Sequence, residues 1–112
     1  MRIWDISPQK LCRHHLLGEH SEQHAIWSIL TQNKKGFLHH PETIRWKGKL
    51  KALYLRHQDI VKEMLRRGMK HNSPMDKLLA TDLDYQDEYV EYVDRIDEQE
   101  KILKRKGCGC DI

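Results

Sequence analysis

The strongest constraint on the fold is one stretch of chain in which apolar side chains recur at steps of three and four residues. The positions are Trp46, Leu50, Leu53, Tyr54, His57, Ile60, Val61, Met64 and Leu65, and Gly68 closes the pattern. This spacing lines one face of a helix and is typical of core packing. It predicts a long amphipathic helix over about 42–67, with the apolar face of that helix in the core.

The rest of the chain also carries helix signals. Ser7 before Pro8 and, later, Ser21 are residues that cap helix starts, and the residues around Gly36 end the second of these segments. No segment alternates apolar and polar residues for long, so no strand is predicted. The expected fold class is all-α: a compact single-domain bundle of about three main helices plus short helical turns, over residues 1–112. The predicted helices cover about 8–18, 21–32, 42–67, 74–80 and 85–106.

Charge divides the chain into two unequal parts. Residues 1–70 hold 14 Lys/Arg against 6 Asp/Glu, net +8, whereas residues 71–112 hold 6 against 11, net −5. Phosphate binding depends on clustered cations rather than on total charge. A polyanionic partner is therefore expected on the first 70 residues, and the acidic last helix is a poor place for DNA.

The cysteines and the hydropathy of the chain indicate the cellular compartment in which the protein is expected. No run of 18 apolar residues exists and the first residues lack an apolar signal-peptide core, so no membrane partner is expected. Cys12, Cys108 and Cys110 cannot form a paired disulfide framework, which favours a reducing cytoplasmic location. Cys108 and Cys110 alone lack a second ligand pair for zinc, so a solvated thiol tail is the simpler interpretation.

The densest cluster of chemically active side chains lies in residues 14–24, which hold four histidines and two glutamates. His20 and His24 are one helical turn apart, a spacing that can chelate a metal with a third ligand from His15, His40 or His57. If Ser21 caps a helix, Glu22 lies in the first turn, where the helix dipole keeps a carboxylate ionised. Such a group suits proton transfer or the stabilisation of a cationic intermediate. A polar helix start with surface histidines explains the same residues without any chemistry.

The N-terminal amine is a second candidate group. An α-amine titrates near roughly 7.7–8.0 against roughly 10.4 for lysine, so more of it is a free nucleophile at neutral pH. Methionine aminopeptidases generally need a small second residue. Because Arg2 is bulky, we expect Met1 to be retained with its amine free. The amine matters only if the fold holds it beside a carboxylate.

Together these features resemble the pyrimidine-dimer DNA glycosylases of the phage endonuclease V type. The resemblance covers about residues 1–30 and 49–70. The matching residues are Arg2, Ile3, Leu11, His15, Leu16, Leu17, Glu19, Glu22, Lys49, Leu50, Leu53, Arg56, Glu63, Leu65, Arg67 and Gly68.

The resemblance implies a DNA repair glycosylase with apurinic/apyrimidinic lyase activity that needs no metal or cofactor. In that family the N-terminal amine is the nucleophile, which corresponds to Met1, and Glu22 falls on the essential acid/base glutamate. Arg2 matches a site arginine. The expected partner is double-stranded DNA with damaged pyrimidines, excised through an imine and followed by β-elimination. The expected DNA-binding residues are Arg2, Lys10, Arg13, His15, His20, His24, Arg45, Lys47 and Arg56.

The chain also departs from that family's pattern. Two further site arginines fall on Ser21 and Ala25, and the basic aromatic C-terminal segment has no counterpart in residues 102–112. Two alternatives stay open. One is a metal-dependent hydrolase or nuclease built on His20 and His24, and the other is a non-catalytic helical DNA-binding or scaffold module.

Overall fold

The structure, a computed structural model, describes residues 2–32, 39–71 and 94–110. These ranges contain four helices, α1 (Arg13–Gln32), α2 (Pro41–Trp46), α3 (Leu50–Arg66) and α4 (Ile96–Lys106), and one 3-10 turn at Pro8–Lys10. The described part of the chain has no strand, which confirms the all-α prediction. The predicted helix over 74–80 and residues 85–93 of the predicted last helix lie outside the described residues, and the described part of that last helix begins at Ile96.

The two helices predicted before residue 33 are replaced by one short turn and one long helix. The backbone is extended at Leu11, and α1 then runs without interruption through Gly18 and Ser21. A glycine inside a helix costs only about 1 kcal/mol relative to alanine, which is less than the cost of breaking a helix that buries one continuous face. The prediction that Ser21 caps a helix is therefore wrong, and so is the assignment of Glu22 to a first turn.

The long helix predicted over 42–67 is divided into α2 and α3 by the turn at residues 47–49. Gly48 has a φ of 75°, a left-handed conformation that ends α2 and that other residues adopt only with strain. The apolar pattern is nevertheless confirmed as core at most positions, including Trp46 and Leu53. Leu65 is an exception: 58% of it is exposed.

The core consists of two apolar clusters, and each contains side chains of both α1 and α3. One lies near α2 and consists of Ile3, Ile26, Trp27, Trp46, Leu50, Ala52 and Leu53. The other lies near α4 and consists of Trp4, Ile6, Leu11, Leu16, Ile60, Met64 and Leu103. The extended N-terminal segment contributes to both clusters, so the first residues of the chain are part of the packed structure.

Helix α4 closes the second cluster through Leu103, which is almost fully buried. In its described part this helix is not uniformly acidic: acidic residues occupy its first turn and three basic residues, 104–106, occupy its last. That arrangement complements the helix dipole at both ends. No helix in the described ranges has both the length and the apolar content needed to cross a bilayer.

Candidate active site and nucleic-acid interface

The N-terminal segment is held by three successive backbone hydrogen bonds. The N–H groups of residues 3–5 donate in turn to the side chains of Glu42, Glu19 and Gln99, the last two at 2.8 Å. All three accepting side chains are buried. The chain is thereby fixed by α2, α1 and α4 to within two peptide units of its first residue.

The central anchor is an ion pair between α1 and α3. Arg56 donates through Nε and Nη2 to the two carboxylate oxygens of Glu19, at 2.8 and 2.9 Å, and Gln23 donates to the same carboxylate at 2.7 Å. Burial raises the pKa of Glu19, whereas the guanidinium and the Trp4 N–H oppose that rise. Arg56 also donates to the Ile6 carbonyl at 2.9 Å, so this arginine connects α3 to the N-terminal segment directly at Ile6 and, through Glu19, at Trp4.

A second ion pair fixes Asp5 between α2 and α4. Arg45 donates to both carboxylate oxygens of Asp5, at 2.5 and 2.9 Å, and lies 3.4 Å from Glu42. Gln99 donates to the same aspartate at 2.9 Å. These contacts tie α4, which is distant in sequence, to the segment that carries the N-terminus.

Glu22 lies in the middle of α1 and is partly exposed. It follows Glu19 by three residues and precedes Ile26 by four, so the three side chains share one face of the helix. Trp4 donates its backbone N–H to Glu19 and shares a core cluster with Leu16, whereas Ile3 shares the other cluster with Ile26. Residues 3 and 4 therefore lie along the stretch of α1 that contains Glu22.

Met1 lies outside the described residues. Arg2 is described: its guanidinium lies 5.0 Å from the Trp4 ring centroid and 2.8 Å from the carboxylate of Asp94.

The residues predicted to contact DNA fall into different environments. Lys10, Arg13 and Lys47 are exposed. The side chains of Arg45 and Arg56 are only 5% and 15% exposed, because they are paired with carboxylates. The proposed contacts of all of these residues with phosphate stay predictions.

His20 and His24 belong to a cluster of four imidazoles that we call the histidine cluster (His20, His24, His57 and His71). Each contributes one ring nitrogen to a group whose members all lie within 4.8 Å of one another. His57 Nε2 lies 3.2 Å from His20 Nε2 and 3.1 Å from His24 Nε2. Burial, together with the other three rings, lowers the pKa of His20 to about 4, so this ring is neutral at physiological pH.

These distances resemble those between the ligands of a tetrahedral metal ion, since Zn–N bonds of about 2.0–2.1 Å give N···N edges of roughly 3.4 Å. Of the additional ligands considered from the sequence, His57 is present in the cluster. His40 instead accepts a hydrogen bond from the Glu42 N–H at the start of α2. His71 lies just after α3, and nothing in the sequence indicates that the chain turns back there toward the other three histidines.

Comparison with known families shows which family the chain belongs to. The model of the pyrimidine dimer DNA glycosylase family matches residues 1–77. The chain belongs to this family. Membership indicates a DNA glycosylase whose substrate is DNA with pyrimidine dimers, which is the coarser part of the function expected from the sequence. No curated protein and no solved structure matches the chain.

The glycosylase family match includes α1, α2, α3 and the N-terminal segment but ends before α4. In the C-terminal part, the prediction of a solvated thiol tail is wrong. Cys108 and Cys110 are partly buried rather than solvated, and they lie against Cys12 and His15. The second ligand pair that a zinc site needs is therefore present, about a hundred residues earlier in the chain.

The sequence also did not indicate which side chains hold the N-terminal segment at residues 3–5. Glu19 was noted only as part of the resemblance, and Glu42 and Gln99 were not singled out. A glutamate inside an apolar helix face is the signal that was available, because a buried carboxylate requires a partner. The identity of that partner depends on tertiary packing and is not visible in the sequence.

Proposed function

We propose that this chain is a pyrimidine-dimer DNA glycosylase with apurinic/apyrimidinic lyase activity that uses the Met1 amine as its nucleophile. The observation that carries the proposal is the anchoring of residues 3–5 alongside the Glu22 face of α1, within the region that matches the family. A nucleophile at a chain end acts efficiently only if the nearby chain is held in place, and three hydrogen bonds to buried side chains hold residues 3–5.

The reaction needs only groups of this chain and the DNA. The amine nitrogen attacks C1′ of the damaged nucleotide, the glycosidic bond breaks, and the base leaves with a proton. Opening of the sugar ring gives a protonated imine between Met1 and C1′. Loss of a C2′ proton then expels the 3′ phosphate by β-elimination, and hydrolysis of the imine returns the amine.

Glu22 is assigned the acid/base role. Its carboxylate is one helical turn from Glu19 and on the same face of α1, and Ile3 shares a core cluster with Ile26, the next position on that face. An ionised carboxylate there stabilises the cationic sugar and the imine, and it accepts the protons that these steps release.

Binding of duplex DNA is assigned to the basic first 70 residues. Lys10, Arg13 and Lys47 are exposed cations that can contact phosphates, and Arg2 lies next to the chain end. His15, His20 and His24 are retained as further candidate contacts. Displacement of a nucleotide from the stack costs less at a lesion, where stacking is already weak.

The experiment is a strand-cleavage assay on a duplex with one cyclobutane pyrimidine dimer, with Glu22→Gln and the matched surface variant Glu98→Gln. A lost acid/base group typically costs about 10²–10⁴-fold in rate. We expect Glu22→Gln to lose at least about a hundredfold while Glu98→Gln stays near the wild-type rate. A Glu22→Gln rate within about threefold of wild type contradicts the assignment.

The second candidate function is metal-dependent hydrolysis at the histidine cluster. The close approach of three Nε2 atoms favours it. Four imidazoles around one tetrahedral ion leave no open position for water, so hydrolysis requires one histidine to leave the ion. Cleavage that is lost on treatment with a chelator and restored by the metal supports this candidate, whereas cleavage that is insensitive to chelator supports the imine reaction.

A further inference from the structure

The C-terminal end of the chain meets the start of α1 through a group of sulfur and nitrogen ligands. We call it the cysteine–histidine cluster (Cys12, His15, Cys108 and Cys110), and its four ligand atoms all lie within 4.8 Å of one another. We propose that this cluster binds one structural zinc ion that fastens the end of α4 to the start of α1. It lies partly beyond the family match, and its one ligand inside α1, His15, is two helical turns before Glu22.

The distances fit a tetrahedral site. The Cys12 and Cys110 sulfurs lie 3.1 and 3.6 Å from His15 Nδ1, and the Cys108 and Cys110 sulfurs lie 3.3 Å apart. Zn–S bonds of about 2.3 Å and Zn–N bonds of about 2.0–2.1 Å imply ligand edges of roughly 3.8 Å between sulfurs and 3.5 Å from sulfur to nitrogen. Small movements of the side chains therefore bring all four atoms to bonding distance.

Local backbone structure presents both ligand pairs in the required orientation. Cys12 immediately precedes α1, and its carbonyl accepts the Leu16 N–H at 2.9 Å, so it and His15 lie at the same helix end. Gly109 has a φ of 91°, a left-handed conformation that turns the chain between Cys108 and Cys110. The Cys12 N–H points to the Cys110 sulfur at 3.1 Å, a contact that favours a thiolate.

The surroundings also suit a zinc–thiolate centre. Three thiolates and one neutral imidazole around Zn²⁺ carry a net charge of −1. Basic residues lie close to both parts of the site, at Arg13 and in the last turn of α4 (residues 104–106). The edge of Trp4 packs against the His15 ring, with centroids 5.8 Å apart, and restricts the imidazole.

A four-ligand site of three thiolates and one histidine is closed, as in structural zinc sites, and has no open position for substrate. Its expected effect is on folding: the ion joins α4 to α1 independently of the segment that connects α4 to α3. Zinc binding also displaces thiol protons, so its affinity falls in acid.

The test is metal analysis of the full chain, purified under reducing conditions, loaded with Zn²⁺ and dialysed. Cys108→Ser/Cys110→Ser is compared with the matched variant His14→Ala, whose exposed side chain neighbours the cluster. We expect the double serine variant to hold one zinc fewer per chain than wild type, and His14→Ala to lose none. Because the histidine cluster is intact in both, any zinc bound there cancels from the comparison.

A second measurement does not depend on variants that fold. Co²⁺ in place of zinc gives sulfur-to-cobalt charge-transfer absorption only if thiolates are ligands, and bound zinc slows alkylation of all three cysteines in the wild-type chain. The proposal is overturned if the cobalt protein lacks that absorption or if zinc leaves alkylation rates unchanged. It is equally overturned if the chain, purified under reducing conditions and loaded with zinc, is found to carry a Cys108–Cys110 disulfide instead of the ion.

Discussion

Replacement of Glu19 by glutamine tests whether the buried ion pair anchors the N-terminal segment. The carboxylate accepts hydrogen bonds from the Trp4 N–H, Gln23 and two nitrogens of Arg56. A glutamine has the same shape but no charge, and its amide nitrogen cannot accept from a guanidinium. The variant therefore leaves an arginine that is 15% exposed without its counter-ion.

The magnitude follows from the cost of removing one partner of a buried ion pair, about 3–5 kcal/mol. We expect the free energy of unfolding of Glu19→Gln to fall by about 4 kcal/mol, a large part of the roughly 5–15 kcal/mol typical of a domain. For a domain of this length that corresponds to a fall in Tm of roughly 15 °C or more.

The assay is urea denaturation of Glu19→Gln, Arg56→Met and the double variant, with Glu98→Gln as the surface control. Glu98 is 51% exposed and its pair with Lys101 spans 3.4 Å, so its loss changes stability by less than about 0.5 kcal/mol. The double variant should be less destabilised than the sum of the single variants, since neither buried charge is left alone. A loss below about 1 kcal/mol for Glu19→Gln, or strict additivity, refutes the anchoring role.

Three further perturbations test other parts of the structure. Hydrogen bonds from Arg66 and Arg67 hold the pKa of Glu63 below its usual 4.5. The stabilisation of the folded state by these bonds is therefore present at neutral pH and is lost as the pH falls below that value. The difference in unfolding free energy between wild type and Glu63→Gln should therefore shrink from pH 7 to pH 3, and a constant difference contradicts this. Leu103→Ala, which removes a side chain that is 1% exposed, should cost about 2–5 kcal/mol in thermal or urea unfolding, whereas a cost below about 1 kcal/mol means that α4 is not packed on the core. Lys47→Ala should reduce the slope of log Kd for duplex DNA against log salt by about 1, and an unchanged slope removes this residue from the phosphate contacts.

The fold class and most of the core were predictable from local patterns. The three- and four-residue steps from Trp46 to Met64 depend only on helix geometry, and the structure buries nearly every one of those positions. The errors occurred at boundaries. A helix was predicted through Gly48, but the structure divides it there; a helix end was predicted near Gly18, but α1 continues through it. Whether a helix continues through a glycine depends on whether the apolar faces before and after it can pack in line.

The candidate site was predictable only where a family pattern or a local spacing was present. The family match to residues 1–77 agrees with the resemblance in spacing from Arg2 to Glu22. Arg56 lies 37 residues from Glu19 in sequence and Cys12 lies 98 residues from Cys110, and no local pattern encodes either contact. Such contacts are set by tertiary packing alone.

The central claim, that the N-terminal amine is the nucleophile, is tested most directly by borohydride trapping of the untagged protein on a duplex with one defined cyclobutane dimer. We predict a covalent adduct that maps to Met1 by peptide mass spectrometry, and its loss when one residue is added ahead of Met1 while the fold is retained. An abasic duplex run in parallel separates lesion recognition from lyase chemistry. An adduct on the abasic duplex alone would contradict the dimer as substrate while retaining the imine chemistry. An adduct on a lysine, or full activity of the extended chain, would contradict the claim that the Met1 amine is the nucleophile.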